Sequence, residues 1–592
     1  MRNNLKPDFF FYGYWLNFGK LMIADKEKEM NEQIIKILHD LALLLEIKGE
    51  NPFKSRAYSN AADIIKNQNI DIENAVRQGT LAEIKGFGKA LQEKITDYVL
   101  NGEMKYFEKI KEEIPIGLLK VIKLPGIGPK KAGMLFREYG VRGIEDLDNM
   151  CKNGELAKVK GFNTKSQEII FIGIGHIKAN IGRFSQESIK QDIEKILKTL
   201  SDIPGMSNTS LTSDFRRFVE TIREIRLVAS ADSDVSKELK RAFMALQKNN
   251  YFYFETENNI PVQIEICSHN NFFWRLHQST GNDDYLLSFN KLFSDNGYDI
   301  GENELKKDGT TIALKNEEEL YKLAGIQFVE PELREGPEII ELAKENKLQE
   351  LICENDLKGM VHCHSTWSDG ANTILEMALK SKELGFKYFI ICDHSQSAVY
   401  ANGLSPEKVR LQHEEIDRLN AQDHGIVILK GIESDILPDG SLDYDESTLE
   451  LFDVVVASVH SHFKMDKEKM TQRIITALQN PYTTMLGHPT GRLLLSREAY
   501  PVDMEKVIEA AAEYSKIIEI NSNPYRLDLN WQNTRYAKEL GVKISINPDS
   551  HRISTLSDVF TGVKVARKGM LSCDDVVNTL KVDDFLKLVR RH

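Results

Sequence analysis

The sequence predicts a multidomain chain of α and α/β class, with a helical N-terminal part, an α+β middle and a C-terminal parallel α/β barrel. Three observations carry this reading. The 592 residues exceed what one hydrophobic core can organise. From about residue 27 to 182, short amphipathic helices alternate with glycine turns, with apolar residues at helical spacing in "NEQIIKILHDLALLLEI". Beyond 356, seven apolar strands alternate with amphipathic helices, which favours a parallel barrel over an open sheet.

Composition narrows the function classes. With 41% hydrophobic and 28% charged residues the chain reads as globular, and a net charge of -12 excludes a uniformly basic nucleic-acid coat. Any DNA contact must be regional. Six cysteines form no C-x-x-C pair and no disulfide framework, so a cytoplasmic location is expected. No apolar run reaches the roughly eighteen residues of a membrane span. The aromatic start "FFFYGYWLNFGKLMIA" is interrupted by polar residues and lacks a cleavage site, so residues 1–26 are read as an extension of unknown role.

Within the helical part a turn recurs: "IKGFGKALQEKI" (84–95), "LPGIGPKKAGMLF" (124–136) and a decayed "VKGFNTKSQEII" (159–170). Glycines permit the tight turn, and the N–H groups that open the following helix can hold a phosphate oxygen without reading a base. Residues 51–170 carry 20 Lys/Arg against 16 Asp/Glu, a net of +4, so the basic region falls where the turns are. The pattern resembles the helix-hairpin-helix of DNA repair proteins and polymerases. That resemblance implies DNA contacts by Gly86, Gly88, Lys89, Gly126, Gly128, Lys130 and Lys131, on gapped or nicked DNA or on free ends. Residues 27–105 would form a small helical DNA-binding domain and 106–182 a fingers-like region.

From 183 to 330 the texture turns to mixed helix and strand, with "REIRLVAS" and "NNYFYFETENNIPVQIEIC" as β-rich pieces, and 331–355 reads as a charged connector. In the barrel, 356–592, the strands are "GMVHCH", "YFIICDH", "IVILKGIE", "LFDVVVASVH", "TTMLGHP", "SKIIEINSN" and "VKISINPDSH". Nearly all of them end in a candidate metal ligand: His362 and His364, His394, Glu433, His460, His488, then Asp549 and His551, with Asp369 in the loop after the first. Ligands at the C-terminal ends of barrel strands converge on one mouth. Nine groups exceed the needs of one tetrahedral ion and suit two or three, with Glu433 able to bridge. Mixed nitrogen and oxygen ligation fits zinc or manganese alike.

The motifs "HCHSTWSDG", "CDHS", "GIESDI", "SVHSHF", "GHPTGR", "EINSN" and "NPDSH" resemble the PHP (polymerase and histidinol phosphatase) family. The resemblance implies a distorted (β/α)7 barrel with three divalent ions. One ion would take His362, His364, Glu433 and Asp549, a second Glu433, His460 and His488, and a third Asp369, His394 and His551. Glu433 would be catalytic, and Arg492 and Arg526, which follow strand ends, are candidates to clamp a phosphate. Asn523, Tyr400 and His462 are further candidates.

The domain order resembles the bacterial family X DNA polymerases over almost the whole chain. In "SDFRRFVETIREIRLV" (213–228), Arg216, Arg217, Glu220 and Thr221 keep the register of a nucleotidyltransferase-like palm. Ser213 and Asp214 replace its Gly-Ser, Glu224 and Arg226 replace its paired aspartates, and Glu265 stands for the third. Arg226 puts a fixed cation where a two-metal site needs an anion, so a degenerate polymerase site is expected. "NPFKSRAY" and "GFGKALQEKI" match the family's deoxyribose-phosphate-binding domain, and Lys94 falls where some relatives carry a Schiff-base lysine. The expected function is DNA repair by a metal-dependent phosphodiesterase, a 3′ to 5′ exonuclease or repair nuclease. The alternatives are an active gap-filling polymerase and a non-catalytic DNA-end-binding protein.

Overall fold

The computed structural model describes residues 18–68 and 70–589, with side chains from residue 30 except those of 66–68. Most of the N-terminal extension, residues 1–17, lies outside the described residues. Two compact units meet at Ile181/Gly182. Among the described residues no helix is long and apolar enough to cross a membrane.

The first unit is helical. A 31-residue helix, Phe18–Lys48, buries Ile34, Leu38, Leu41 and Leu45 along one side. Helices Pro52–Gln68, Lys89–Asn101 and Pro129–Tyr139 pack around it through Ala62, Ile65, Ile95 and Leu135. The period of the apolar residues in the sequence is the stripe that this core uses.

The second unit begins with a five-stranded mixed sheet. Its order is Met206–Leu211, Ile225–Ala231, Pro261–Cys267, Tyr251–Glu255, Leu246–Lys248, with only the second and third parallel. Both β-rich sequence pieces are strands here. A second core follows around Trp274, Tyr285, Phe289, Phe293 and Tyr321. The connector contributes helix Pro337–Lys344 to that core through Ile339 and Ile340.

The barrel then forms from seven parallel strands in sequence order: Gly359–Cys363, Tyr388–Ile391, Val427–Asp435, Val454–Ser458, Met485–Leu486, Ile517–Asn521 and Ile544–Asn547. Beyond the seventh strand, Ser550 bridges Cys363 and its carbonyl accepts from the His364 N–H at 2.8 Å, which nearly closes the ring. Strand residues buried on both faces explain why the sequence shows apolar runs rather than alternation.

A buried ion network links the second core to the palm. Arg334, wholly buried, donates to Glu317 Oε1 at 2.6 Å, and the other Glu317 oxygen accepts from Arg216. Burial alone would raise the Glu317 pKa, but Arg216 and Arg334 outweigh it and hold the carboxyl far below its usual range. Glu317→Gln leaves two guanidiniums without their counter-charge, and a loss of about 3–5 kcal/mol is expected in chemical denaturation. Because the folded pKa is depressed, the pair's contribution is fully present above the unfolded carboxyl's value of about 4.3 and declines below it. The variant's stability should therefore fall less steeply with acid below about pH 4 than that of the unaltered protein.

Candidate metal centre

The nine candidate ligands meet at the C-terminal mouth of the barrel. Three groups each bring single ligand atoms within 4.8 Å of one another: His362, His364 and Asp549; His394, Glu433 and His460; and His364, Asp369, His394 and His551. The first holds three of the four residues expected for one ion, without Glu433, and the third contains Asp369, His394 and His551, expected for another, together with His364. His394 and His364 thus stand between neighbouring groups instead of belonging to one. Glu433, 1% exposed, sits at the centre. One of its oxygens lies 2.9 Å from His488 Nε2, 3.3 Å from His460 Nε2 and 3.4 Å from His362 Nε2. The other lies 2.9 Å from His394 Nδ1 and 3.7 Å from His364 Nε2.

The backbone is bent to achieve this. The first strand shifts register between Met360 and Cys363, with His362 at φ 58°, so a bulge rather than regular alternation turns both histidines toward Glu433. Asp549 (φ 52°) and His488 (φ 25°) are also left-handed, a cost of about 1–3 kcal/mol each that gathers at functional sites.

The residues fit a metal centre by their unmet valences. His362 Nε2, His364 Nδ1, His394 Nδ1, His488 Nδ1 and Glu433 Oε2 are buried without a hydrogen-bond partner. Three of the histidines are positioned by carboxylates outside the expected set: His362 and His488 by Glu519, and His460 by Asp435. The Nδ1–H of His362 donates to Glu519 Oε2 at 2.5 Å, which leaves Nε2 facing Glu433. Glu519 also accepts from the His488 N–H at 3.0 Å, Asn521 Nδ2 at 2.9 Å and Asn547 Nδ2 at 2.7 Å. Likewise, His460 Nδ1–H donates to Asp435 Oδ1 at 2.5 Å. Glu519 and Asp435 stand inside the motifs "EINSN" and "GIESDI", so each was visible as a strand-end carboxylate but without its partner.

Electrostatics at the mouth demands cations. Burial would raise the Glu433 pKa, yet His460, His394 and His362 hold it well below the carboxylate range. Burial opposes charge on His460 and His551, but Glu433 and Asp435 push the former to about 10, and Asp369 and Asp549 the latter to about 9. Divalent ions would replace those protons, and their binding would release them.

The two arginines differ. Arg526 Nε lies 3.9 Å from Asp549 Oδ2, at the mouth. Arg492 is turned to the palm, where Nη1 and Nη2 donate to the two oxygens of Glu220 at 3.1 and 2.6 Å and Nε to the Arg526 carbonyl at 3.1 Å. The expected phosphate clamp is in that position a structural tie. Tyr400 lies beside the cluster, its ring 6.1 Å from that of His394. Asn523 accepts from the Tyr525 N–H in a turn, and His462 makes its hydrogen bond with Ser461.

In the first unit, Gly86 (φ 101°) and Gly126 (φ 80°) make the left-handed turns, and Gly88 and Gly128 open helices Lys89–Asn101 and Pro129–Tyr139 without a side-chain cap. The decayed third copy differs: Asn163 and Ser166 cap each other's backbone N–H groups. Its helix start is already satisfied, while the first two are open to a phosphate. Lys89 and Lys130 stand at those starts, whereas Lys131 Nζ donates to the Gly126 carbonyl at 3.0 Å. Lys94 lies against an aromatic wall, 4.7 Å from the Tyr106 ring centre and 5.9 Å from that of Tyr58. Burial, with Lys54 nearby, lowers its pKa.

The palm positions are neutralised. Arg226 Nε donates to Glu224 Oε1 at 2.8 Å. Glu265, 3% exposed, accepts from Arg275, which also donates to Tyr251 Oη at 3.1 Å. Arg275 was missed in sequence. Arg217 donates to Asp214 at 2.6 Å and to Glu335 at 3.2 Å, and Arg216 to Glu317. Both arginines of the triphosphate segment are engaged with protein carboxylates.

Matches to known families follow the same division: helix-hairpin-helix domain over 29–104, SAM-like helix-hairpin-helix tandem over 118–170, DNA polymerase beta thumb over 275–335 and PHP domain over 361–526. Hairpins, polymerase thumb and a histidine-rich barrel in one chain define a family X polymerase architecture with a C-terminal PHP domain. The DNA polymerase/3′-5′ exonuclease PolX of Bacillus subtilis (strain 168) is 33% identical over 571 residues, covering 95% of this chain and 99% of the relative. The chain belongs to the PolX family. Its barrel alone is also similar to probable phosphatases of Thermoanaerobacter sp. (strain X514), 32% identical over 251 residues, and of Acetivibrio thermocellus, 30% over 238; these span 39% and 38% of the chain and 94% and 93% of the relatives.

Glu519→Gln removes the carboxylate that fixes His362 and His488, so metal affinity should fall about 10–100-fold, measured by competition with a chromogenic chelator. Unchanged affinity would remove Glu519 from the centre.

Proposed function

We propose that this protein is a metal-dependent phosphodiesterase that degrades DNA from an end, a 3′ to 5′ exonuclease or repair nuclease, with its palm retained as a scaffold. The convergence of nine metal-type side chains, with Glu433 buried among them, carries the reading. Three divalent ions, zinc or manganese, would be held as the sequence resemblance implies, with Glu433 bridging. Such ions supply Lewis acidity and lower the pKa of a water molecule beside the substrate. Glu519 and Asp435 keep the imidazoles aimed, and Arg526 meets a phosphodiester oxygen at the mouth. The relative named as a polymerase and 3′-5′ exonuclease supports DNA as substrate, as do the two uncapped hairpins. Gapped, nicked or free-ended DNA is the proposed partner. Its use, and six unpaired cysteines, support a cytoplasmic site of action.

Polymerisation is disfavoured by charge. A two-metal site needs carboxylates on both ions, and Glu224 and Glu265 are each paired with an arginine. A second activity of the small N-terminal domain has one observation in its favour, the lowered pKa of Lys94 in its aromatic recess. A less protonated amine is a better Schiff-base nucleophile on the sugar of an abasic site.

The combined variant His362→Ala and His364→Ala should abolish cleavage of end-labelled gapped DNA in manganese while DNA binding is retained, because hairpins and cluster belong to separate units. Cleavage by that variant would remove the barrel from the reaction. With all four nucleotides and magnesium or manganese, the unaltered protein should fail to extend a primer across a one-nucleotide gap, and efficient filling would reverse the reading of the palm. Borohydride should trap the protein on incised abasic DNA, and Lys94→Arg should lose the trapped species; equal trapping would acquit Lys94.

A further inference from the structure

A short turn beside the metal centre carries exposed apolar side chains that neither fold nor cluster uses. In the single helical turn Val399–Ala401, Val399 is 82% and Tyr400 71% exposed. The Tyr400 ring nevertheless touches the cluster, with centroids 6.1 Å from His394 and 6.5 Å from His460. One side of the phenol rests against imidazoles and the rest opens to solvent at the mouth.

The turn is fixed in place by the segment that carries His394. The Leu404 N–H donates to the His394 carbonyl at 2.9 Å, and the Gly403 N–H to the Ala398 carbonyl at 3.1 Å. A Cβ at Gly403 would lie 1.9 Å from the Ser395 carbonyl oxygen, so only glycine closes this loop. Asn402 donates to the Trp367 carbonyl at 3.3 Å and accepts from Lys408 Nζ at 3.1 Å. The loop therefore holds the ring beside His394 and His460, at the mouth that Arg526 shares.

We propose that Tyr400 is a specificity-determining residue that stacks on the nucleobase of an unpaired strand end while the adjoining phosphodiester lies over the metal ligands. This rests on the nuclease reading above. Every base offers a π face, so such a contact tolerates any sequence. A base inside a duplex has both faces occupied, so the ring can be used only at a strand end, and most freely where that end is unpaired. Tyr400 thus favours an unpaired, base-bearing DNA end, and simple phosphate esters lacking a base gain nothing from it.

The test compares the metal-loaded full chain with Tyr400→Ala and Tyr400→Phe, after metal content has been shown equal. Two labelled single-stranded oligonucleotides are used, one ending in an ordinary nucleotide and one in a base-free tetrahydrofuran analogue. The readout is the ratio of kcat/KM for the two ends. Tyr400→Ala should shrink that ratio about tenfold, chiefly through KM, and Tyr400→Phe should keep it. An unchanged ratio in the alanine variant, or an equal loss in the phenylalanine variant, would overturn the stacking role. Failure of the unaltered protein to cut either end would overturn the nuclease reading and this one with it.

Discussion

One buried carboxylate organises the C-terminal half of this protein. Glu433 has five histidines within 3.7 Å and almost no solvent, so its charge must be answered inside the protein. Burying an anion is costly, and the imidazoles around Glu433 answer its charge with protons that divalent ions would replace. The strained backbone at His362, His488 and Asp549 and the orienting carboxylates Glu519 and Asp435 serve that arrangement. The barrel supplies the remaining requirement, a set of rigid strand ends aimed at one point.

The palm shows the opposite solution to the same problem. Its Glu265 is also buried, but Arg275 closes the charge balance from within, and Glu224 is answered by Arg226 two residues along the chain. An acidic site balanced by fixed guanidiniums has no deficit for a metal ion to fill. The two acidic sites of the chain thus differ less in their carboxylates than in what stands beside them.

The sequence shows in advance whatever is local. Every candidate ligand but Asp369 stands at or close beyond the end of a barrel strand, so the candidate set and the seven-strand order could be read together, and the hairpins were legible because a glycine turn and the helix it starts are adjacent. Pairings between distant residues were not. Arg492 finds Glu220 at a separation of 272 residues, and His362 finds Glu519 across 157. Those contacts depend on how finished elements pack, which no short motif encodes. The bulge at His362 is a third case, since "GMVHCH" reads as a regular strand and the register shift appears only against its neighbour.

The tie between Arg492 and Glu220 bears on the history of the chain. Lys568, buried at the end of the outer helix Val559–Lys568, likewise donates to the Arg217 carbonyl at 2.8 Å, so two cations of the barrel domain have partners in the palm. Arg492 also holds the segment around Arg526, the residue at the mouth. Whatever chemistry the palm retains, the chain could not readily shed that domain, because deletion would strand Arg492 and Lys568 without their partners and loosen the rim of the barrel site. Inheritance of the palm is in this sense enforced by its neighbour, and its drift is free only where it does not touch the barrel.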